Sequence, residues 1–240
     1  MDIPALFTNK QLTINEVTRE YPQSLGVFNR YGIDFCCGGK KNFFKACDEA
    51  EAEPFLLIEE ISSAETVVGA LRFKNWSPVF LTRYIVENHH TYVRQAIPEL
   101  NTLLDKVVFR HGDNDPKLSQ IREQFTSLAG ELLLHMDKEE QVLFPAIDEL
   151  FGGQDVVGPL ASNINMPISA MEDDHDHAGK VLKVIRELTN QYTPPASACP
   201  TYQLTYQKLE EFDQDLMQHI YLENSVLFSK CLEEQSALTH

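Results

Sequence analysis

The chain has 240 residues, a hydrophobic fraction of 43% and a formal net charge of −16, which is the composition of a globular protein. The excess of acid argues against a nucleic-acid partner, because a phosphate-binding surface needs clustered Lys and Arg. The sequence contains no run of about 18 uncharged apolar residues and no signal-peptide pattern at its start, so we expect a cytoplasmic protein without a membrane partner.

Residues 1–65 predict a small N-terminal helical domain. Its helices should be short and broken at turn-forming residues, and an acidic stretch over 48–65 marks either its end or a linker. The turn-forming residues are Pro22, Gly26, Gly32 and the Gly38-Gly39 pair.

Four longer helices are predicted over residues 78–235, where apolar residues recur with a helical period and no run alternates as a strand does. We therefore predict an all-α fold in which a four-helix bundle follows the N-terminal domain. Pro98 and Pro145 fall inside the first two helices, each of which should kink or be interrupted there. The predicted helices cover about 78–108, 117–150, 167–191 and 201–234.

An internal repeat is the most informative feature of the sequence. His135-x-x-x-Glu139 followed by Val-Leu-Phe recurs in register as His219-x-x-x-Glu223 followed by the same Val-Leu-Phe. On an α-helix, residues four apart share one face, so each His and Glu can aim at one point inside the bundle. A buried carboxylate is costly without a bound cation, and this favours a metal site.

Each copy of the motif also has a histidine upstream. His90 and His175 precede the two motif histidines by 45 and 44 positions, which predicts two helix pairs related by a pseudo-twofold axis. His89 adjoins the first of these and His177 lies two residues after the second. Only one histidine of each pair can face the core, so we expect His89 and His177 to lie in solvent.

The predicted ligand set contains four imidazoles and two carboxylates, more than the four ligands that one zinc ion usually takes. It suits two ions bridged by carboxylates, and mixed nitrogen and oxygen ligation without thiolate indicates iron, with manganese as the weaker choice. The predicted ligands are His90, His135, Glu139, His175, His219 and Glu223. Glu139 and Glu223 are the expected bridges. His90 and His135 should cap one side or be shared across it, and His175 and His219 should do the same on the opposite side.

Two acidic residues near the ligands are candidates for supporting roles. Glu131 lies one turn before His135, where it could orient that ligand or line an access path to the metal. Asp174 beside His175 could act similarly, although solvation at the surface fits it equally well.

A rival ligand set must be weighed. Glu87-x-x-His90 and Glu172-x-x-His175 fit the Glu-x-x-His signature of ferritin-like di-iron bundles. That assignment would leave the duplicated histidines at 135 and 219 without a role, so we favour the first set.

Taken together, these motifs resemble those of hemerythrin-like proteins, and more specifically the repair-of-iron-centres family of the YtfE/ScdA type. The motifs that carry the resemblance are Cys36-Cys37-Gly38-Gly39, His135-x-x-x-Glu139-x-x-x-x-Phe144-Pro145, Met171-Glu172-Asp-Asp-His175 and His219-x-x-x-Glu223-Asn-x-x-Leu227-Phe228. Ser229 stands where the family often has Pro, and Asp174 where Glu is common. The resemblance implies the same six ligands, two iron ions per chain with carboxylate and oxo bridges, and damaged iron–sulfur proteins as recipients.

Five cysteines without a Cys-x-x-Cys pair predict neither a disulfide framework nor a thiolate zinc site. The vicinal Cys36 and Cys37 cannot easily chelate one ion together. If exposed, they could transfer iron, react with nitric oxide species or exchange with a partner thiol, whereas a packed turn with idle thiols is the alternative. The resemblance favours the first role, and Cys47, Cys199 and Cys231 are expected to be packing residues.

Three functions therefore remain open. The resemblance implies repair of iron–sulfur clusters damaged by nitrosative or oxidative stress, through iron donation, nitric oxide processing or both. The alternatives are a sensor or carrier of dioxygen or nitric oxide and a ferritin-like di-iron oxidase. The sequence leaves open whether the protein is an enzyme, whether it forms a homodimer, and what His111 does.

Overall fold

A computed structural model describes residues 5–36, 38–64, 73–152, 158 and 163–238. Within these ranges the chain forms helices and one isolated β-bridge, between Thr13 and Asn42, but no strand. The predicted all-α class is therefore confirmed. None of the described helices combines the length and apolar character that crossing a bilayer requires.

The N-terminal part consists of short helices, as predicted. They are a 3-10 turn at Ala5–Thr8 and the helices α1 (Ile14–Glu20), α2 (Ser24–Arg30), α3 (Phe43–Glu49) and α4 (Pro54–Ser63). A capping box starts α1, in which the Thr13 side chain accepts a hydrogen bond from the backbone of Glu16 and the Glu16 side chain accepts one from the backbone of Thr13.

One local prediction for this part needs correction. Gly26 lies inside α2 instead of breaking it, because the burial of Val27 and Phe28 outweighs the modest cost of one helical glycine. The acidic stretch, predicted as the end of this part or a linker, contains α4, in which Leu57 and Ile61 are fully buried.

Four long helices follow, with bounds within four residues of the prediction. The first comprises α5 (Pro78–Tyr84), a π-helical segment (Ile85–His90) and α6 (Thr91–His111), and the second comprises α7 (Lys117–Lys138), a π-helical segment (Glu139–Leu143) and α8 (Phe144–Phe151). The third is α9 (Asn165–Leu188), and the fourth comprises α10 (Pro200–Tyr221), a π-helical segment (Leu222–Phe228) and α11 (Ser229–Leu238).

The two internal prolines behave differently. A kink or an interruption was predicted at Pro98, and helix α6 continues through it without interruption. Pro145 stands in the first turn of α8, directly after a π-helical segment, where its missing N–H costs no helical hydrogen bond. The third helix ends three residues earlier than predicted, because residues 190–192 adopt left-handed φ angles of 51° to 54°.

The four long helices pack as a ring, in which α6 contacts α10 and α7, and α9 contacts α7 and α10. The N-terminal helices pack directly on this bundle. Helix α1 contacts the π-helical segment Leu222–Phe228, and the Tyr221 hydroxyl donates a hydrogen bond to the Thr18 carbonyl at 3.2 Å. The segment that carries Glu223 is therefore covered by the N-terminal part of the chain.

Candidate metal centre

The six predicted ligands converge inside the bundle, and each is 3% exposed or less. Their ligand atoms form two clusters, within each of which all atoms lie within 4.8 Å of one another. One cluster contains His90, Glu139, His219 and Glu223, and the other contains His135, Glu139, His175 and Glu223. Because both glutamates belong to both clusters, each carboxylate is placed to bridge two cations.

The pairing of the imidazoles differs from the expectation. The structure groups His90 with His219, whose Nε2 atoms lie 3.2 Å apart, and His175 with His135, whose Nε2 atoms lie 3.0 Å apart. The cause is the order of the helices in the ring, since α6 packs against α10 and α7 against α9. The expected pairing within each helix pair was wrong.

Three of the four long helices are π-helical where they carry these residues. His90 ends the segment Ile85–His90, Glu139 begins the segment Glu139–Leu143, and Glu223 lies within the segment Leu222–Phe228. Such insertions into α-helices are frequent at functional sites, because the wider turn changes the direction of the side chains that follow. The π-helical backbone thus supports a functional role for the part of the bundle that carries the six residues.

The carboxylates provide the test of whether a cation fits. Within the described part of the chain, neither carboxylate oxygen of Glu139 has a hydrogen-bond partner, although Oε2 lies 3.3 Å from Nε2 of both His90 and His135. The carboxylate of Glu223 lies 3.0 Å from Nε2 of His219 and 3.1 Å from Nε2 of His175. Two buried carboxylates are costly unless positive charge is close to them, and a cation ligated by both would supply it.

The electrostatics of the site keep both carboxylates ionised. Burial raises the pKa of Glu223, but attraction to His219 and His175 outweighs it and holds this pKa well below the ordinary value. The pKa of Glu139 is lowered in the same way, since His135 and His90 outweigh burial and the repulsion from Glu223. Burial would lower the pKa of His135, yet Glu139 raises it to about 9. The site therefore holds negative charge that protons and metal cations compete to neutralise.

Nδ1 of three of the four imidazoles contacts the side chain of a neighbouring polar residue, and this contact turns Nε2 toward the cluster. The pairs are His90 with Glu140 at 2.8 Å, His135 with Asp174 at 3.3 Å and His175 with Asn224 at 2.8 Å. Nδ1 of His219 has no hydrogen-bond partner among the described residues. Glu140 and Asn224 were not predicted, but the repeat contained the signal, because each directly follows a motif glutamate.

The two acids proposed for supporting roles make different contacts. Asp174 lies 3.3 Å from Nδ1 of His135 on the neighbouring helix α7. Glu131 is 51% exposed and pairs with His177 at 3.1 Å, and the structure shows no contact between it and His135. Both acids line a cavity of about 190 Å³ that reaches His135 and His175, and an access role for Glu131 stays a prediction.

The two neighbouring histidines have different surroundings. His177 is 54% exposed, as predicted. The prediction that His89 lies in solvent was wrong, since it is only 4% exposed, lies 3.0 Å from Asp215 and stacks on His219 with ring centroids 5.5 Å apart. Consecutive residues of a wide π-helical turn at the contact with α10 can both be covered, which the α-helical argument did not allow.

The rival acids are not part of the clusters. Glu87 is exposed, and Glu172 pairs with Lys40 at 2.7 Å. A ferritin-like ligand set would need both carboxylates inside the bundle, so the geometry disfavours it.

The cysteine motif lies on the bundle near the clusters. Cys36 is only 2% exposed, with its Sγ 3.2 Å from Sδ of Met217 and 3.4 Å from Oδ1 of Asp34. Cys37, the other residue of the proposed thiol pair, lies outside the described residues. A Cβ atom at Gly39 would overlap the Asn15 side chain, so a larger residue here would force that side chain of α1 to move.

The remaining cysteines have separate surroundings. Cys47 and Cys231 are fully buried, and burial raises the pKa of each thiol to about 12, which agrees with the predicted packing role. Cys199 is partly exposed, and its Sγ lies 3.3 Å from Nε2 of His111.

Comparison with known proteins agrees with this architecture. Residues 82–231 match the hemerythrin HHE cation binding domain, and residues 10–65 match ScdA_N, a domain of unknown function. The iron-sulfur cluster repair protein ScdA of Staphylococcus haemolyticus is 34% identical over 226 residues, covering 94% of this chain and 99% of the relative.

Two proteins named iron-sulfur cluster repair protein YtfE are similarly close. The one from Musicola paradisiaca is 35% identical over 230 residues, which cover 95% of this chain and 99% of the relative. The one from Escherichia coli O1:K1 is 35% identical over 223 residues, which cover 91% of this chain and 96% of the relative. The chain therefore belongs to the ScdA/YtfE family, and its helical bundle is a hemerythrin HHE cation binding domain.

Proposed function

We propose that the chain is a di-iron protein that repairs iron–sulfur clusters damaged by nitrosative or oxidative stress. The observation that carries the proposal is the pair of buried clusters that share Glu139 and Glu223. The kinship with proteins named for iron–sulfur cluster repair supports the choice of reaction.

The donor set supports iron as the metal. Each proposed position combines two imidazole nitrogens with oxygens from two carboxylates, and among the described residues no sulfur atom belongs to either cluster. This mixed set suits iron and fits zinc or calcium less well. When bound, iron would supply Lewis acidity and one-electron chemistry toward nitric oxide or dioxygen.

The protein itself contributes orientation, charge and exclusion of water. Glu140, Asp174 and Asn224 hold three of the imidazoles with Nε2 directed inward. The surrounding helices bury the clusters, and the cavity beside Asp174 leaves a route by which small molecules reach them. Residues 1–65 would bring the Cys36-Cys37 motif to this bundle for iron transfer or thiol chemistry with a damaged recipient.

A sensor or carrier of dioxygen or nitric oxide is the second candidate. The cavity of about 190 Å³ at His135 and His175 favours it, because a diatomic ligand fits there easily. The two functions differ in what the iron-loaded protein does to another protein, which makes them separable.

Recovery of a damaged enzyme tests the proposal. Protein loaded anaerobically with ferrous iron is mixed with a [4Fe–4S] dehydratase that nitric oxide has inactivated, and the return of dehydratase activity is followed. Recovery should exceed that given by an equal concentration of ferrous salt. Recovery no better than the salt, together with reversible binding of nitric oxide or dioxygen, would favour the sensor.

The cysteine motif is tested with the same assay. Cys36→Ala combined with Cys37→Ala should leave the iron content near normal and impair recovery, because neither thiol belongs to the proposed ligand set. Cys199→Ala is the matched control, since it removes a partly exposed thiol elsewhere in the chain. Normal recovery with the double variant would refute the proposed role of the thiols.

A further inference from the structure

Asn224 connects the candidate metal centre to the cysteine motif by two hydrogen bonds. Its Oδ1 lies 2.8 Å from Nδ1 of His175, and its Nδ2 donates to the Cys36 carbonyl oxygen at 3.1 Å. One side chain therefore touches both a proposed iron ligand and the backbone of the loop at residues 33–36 (the Cys36 segment).

The direction of these hydrogen bonds follows from metal ligation. A metal at Nε2 of His175 leaves the ring proton on Nδ1, which then donates to Oδ1 of Asn224. That bond fixes the amide so that its NH₂ group faces the Cys36 carbonyl. Metal ligation at His175 thus selects the orientation of the Asn224 amide that holds the Cys36 carbonyl.

The internal repeat shows why an amide is needed at this position. The equivalent residue in the first copy is Glu140, which contacts His90 and Arg94. A carboxylate only accepts hydrogen bonds, whereas Asn both accepts and donates. The amide occurs in the copy whose π-helical segment packs against α1 of the N-terminal part.

We propose that Asn224 is a positioning residue that couples metal occupancy at His175 to the burial of the Cys36 thiol. With metal bound, the two hydrogen bonds hold the Cys36 segment against the bundle. Without metal, Nε2 of His175 keeps its contact with Glu223 but loses the ligated ion, so the ring is fixed less firmly and the segment opens more often. The inference rests on the proposed iron site, and it makes exposure of the thiol a signal that iron has left.

Alkylation of the thiol measures this coupling. Wild-type protein, either loaded with ferrous iron or stripped with a chelator, is treated anaerobically with iodoacetamide, and modification of Cys36 is quantified by tandem mass spectrometry. Cys199 serves as an internal reference, because it is partly exposed and lies about 30 Å along α10 from His219. Cys36 should react about tenfold faster in the stripped protein, the size of a coupling carried by one or two hydrogen bonds, with Cys199 unchanged.

Two variants of the loaded protein test the role of Asn224 directly. Asn224→Asp keeps the acceptor for His175 and removes the donor to Cys36, so at equal iron content it should alkylate at Cys36 about tenfold faster than loaded wild type. Ser225→Ala is the matched control, because Ser225 also joins the bundle to the N-terminal part, through Asn15 at 2.7 Å, without touching a proposed ligand. Loaded Ser225→Ala should react at the wild-type rate.

The outcomes separate this inference from the function on which it rests. Equal Cys36 rates in loaded and stripped wild type, or a wild-type rate in loaded Asn224→Asp, would overturn the coupling while leaving the iron site intact. A wild-type chain that takes up no iron would overturn both. Iron content is therefore measured on every sample.

Discussion

Replacement of Glu139 by Gln separates the ligand role of this residue from its role in the fold. Glu139 is completely buried and belongs to both clusters, so its substitution should weaken both metal positions at once. Gln has the same shape but lacks the charge, and in the metal-free protein it removes a buried carboxylate whose desolvation is costly. The metal-free variant also loses the attraction between Glu139 and His135, so the rise in Tm on metal loading is compared within each protein, from its own metal-free form.

The expected size of the effect follows from linkage. A metal that binds only the folded state adds its binding free energy to stability. A tenfold loss of affinity at each of the two positions, which is modest for removal of a ligand, corresponds to about 2.8 kcal/mol in total. For a chain of this length, 1 kcal/mol shifts Tm by about 2–4 °C, so the rise in Tm on metal loading should shrink by about 6–11 °C.

Calorimetry of loaded and metal-free protein, combined with metal analysis, measures this difference. Glu131→Gln is the matched control, because Glu131 lies on the same helix but is half exposed and outside both clusters. The control should keep two irons per chain and the full rise in Tm. A Glu139→Gln protein that also kept both would refute the bridging role.

Three further predictions address the rival ligands, the pH dependence and the core. Glu87→Gln and Glu172→Gln should each leave iron content at the wild-type value by metal analysis, because neither residue belongs to a cluster. Iron affinity, measured by titration in a weakly coordinating buffer, should rise between pH 6 and pH 9, since Glu139 raises the pKa of His135 to about 9 and its proton competes with the metal below that pH. In the metal-free protein, the same shift stabilises the fold below pH 6.5, and this contribution is lost as the pH rises through about 9. Arg186→Met should lower the free energy of unfolding by about 3–5 kcal/mol in urea titrations, because buried Asp213 would lose the guanidinium that holds it at 2.6 Å.

The repeat explains why so much of the site was visible in the sequence. A His and a Glu four residues apart share one helical face in any packing, and a second copy in register implies that both faces meet. The structure brings all six residues together, and only their role as metal ligands stays a prediction. Helix bounds were also accessible to within a few residues, since α8 ends at Gly152 as its sequence predicts, whereas α9 ends a few residues before Pro194-Pro195.

What the sequence did not reveal depends on contacts between distant segments. The pairing of His90 with His219 follows from which helices are neighbours, and no local pattern records that order. The π-helical segments carry no composition signal, so the burial of His89 was missed. The contacts of Asp174 with His135 and of Asn224 with Cys36 likewise span 39 and 188 positions.

An anomalous difference map at the iron absorption edge, from crystals of the iron-loaded protein, tests the central claim most directly. The account predicts two peaks, one beside His90 and His219 and the other beside His135 and His175, with Glu139 between them. A single peak, a peak at the surface acids, or no peak from protein that remains folded and metal-free after loading would contradict it.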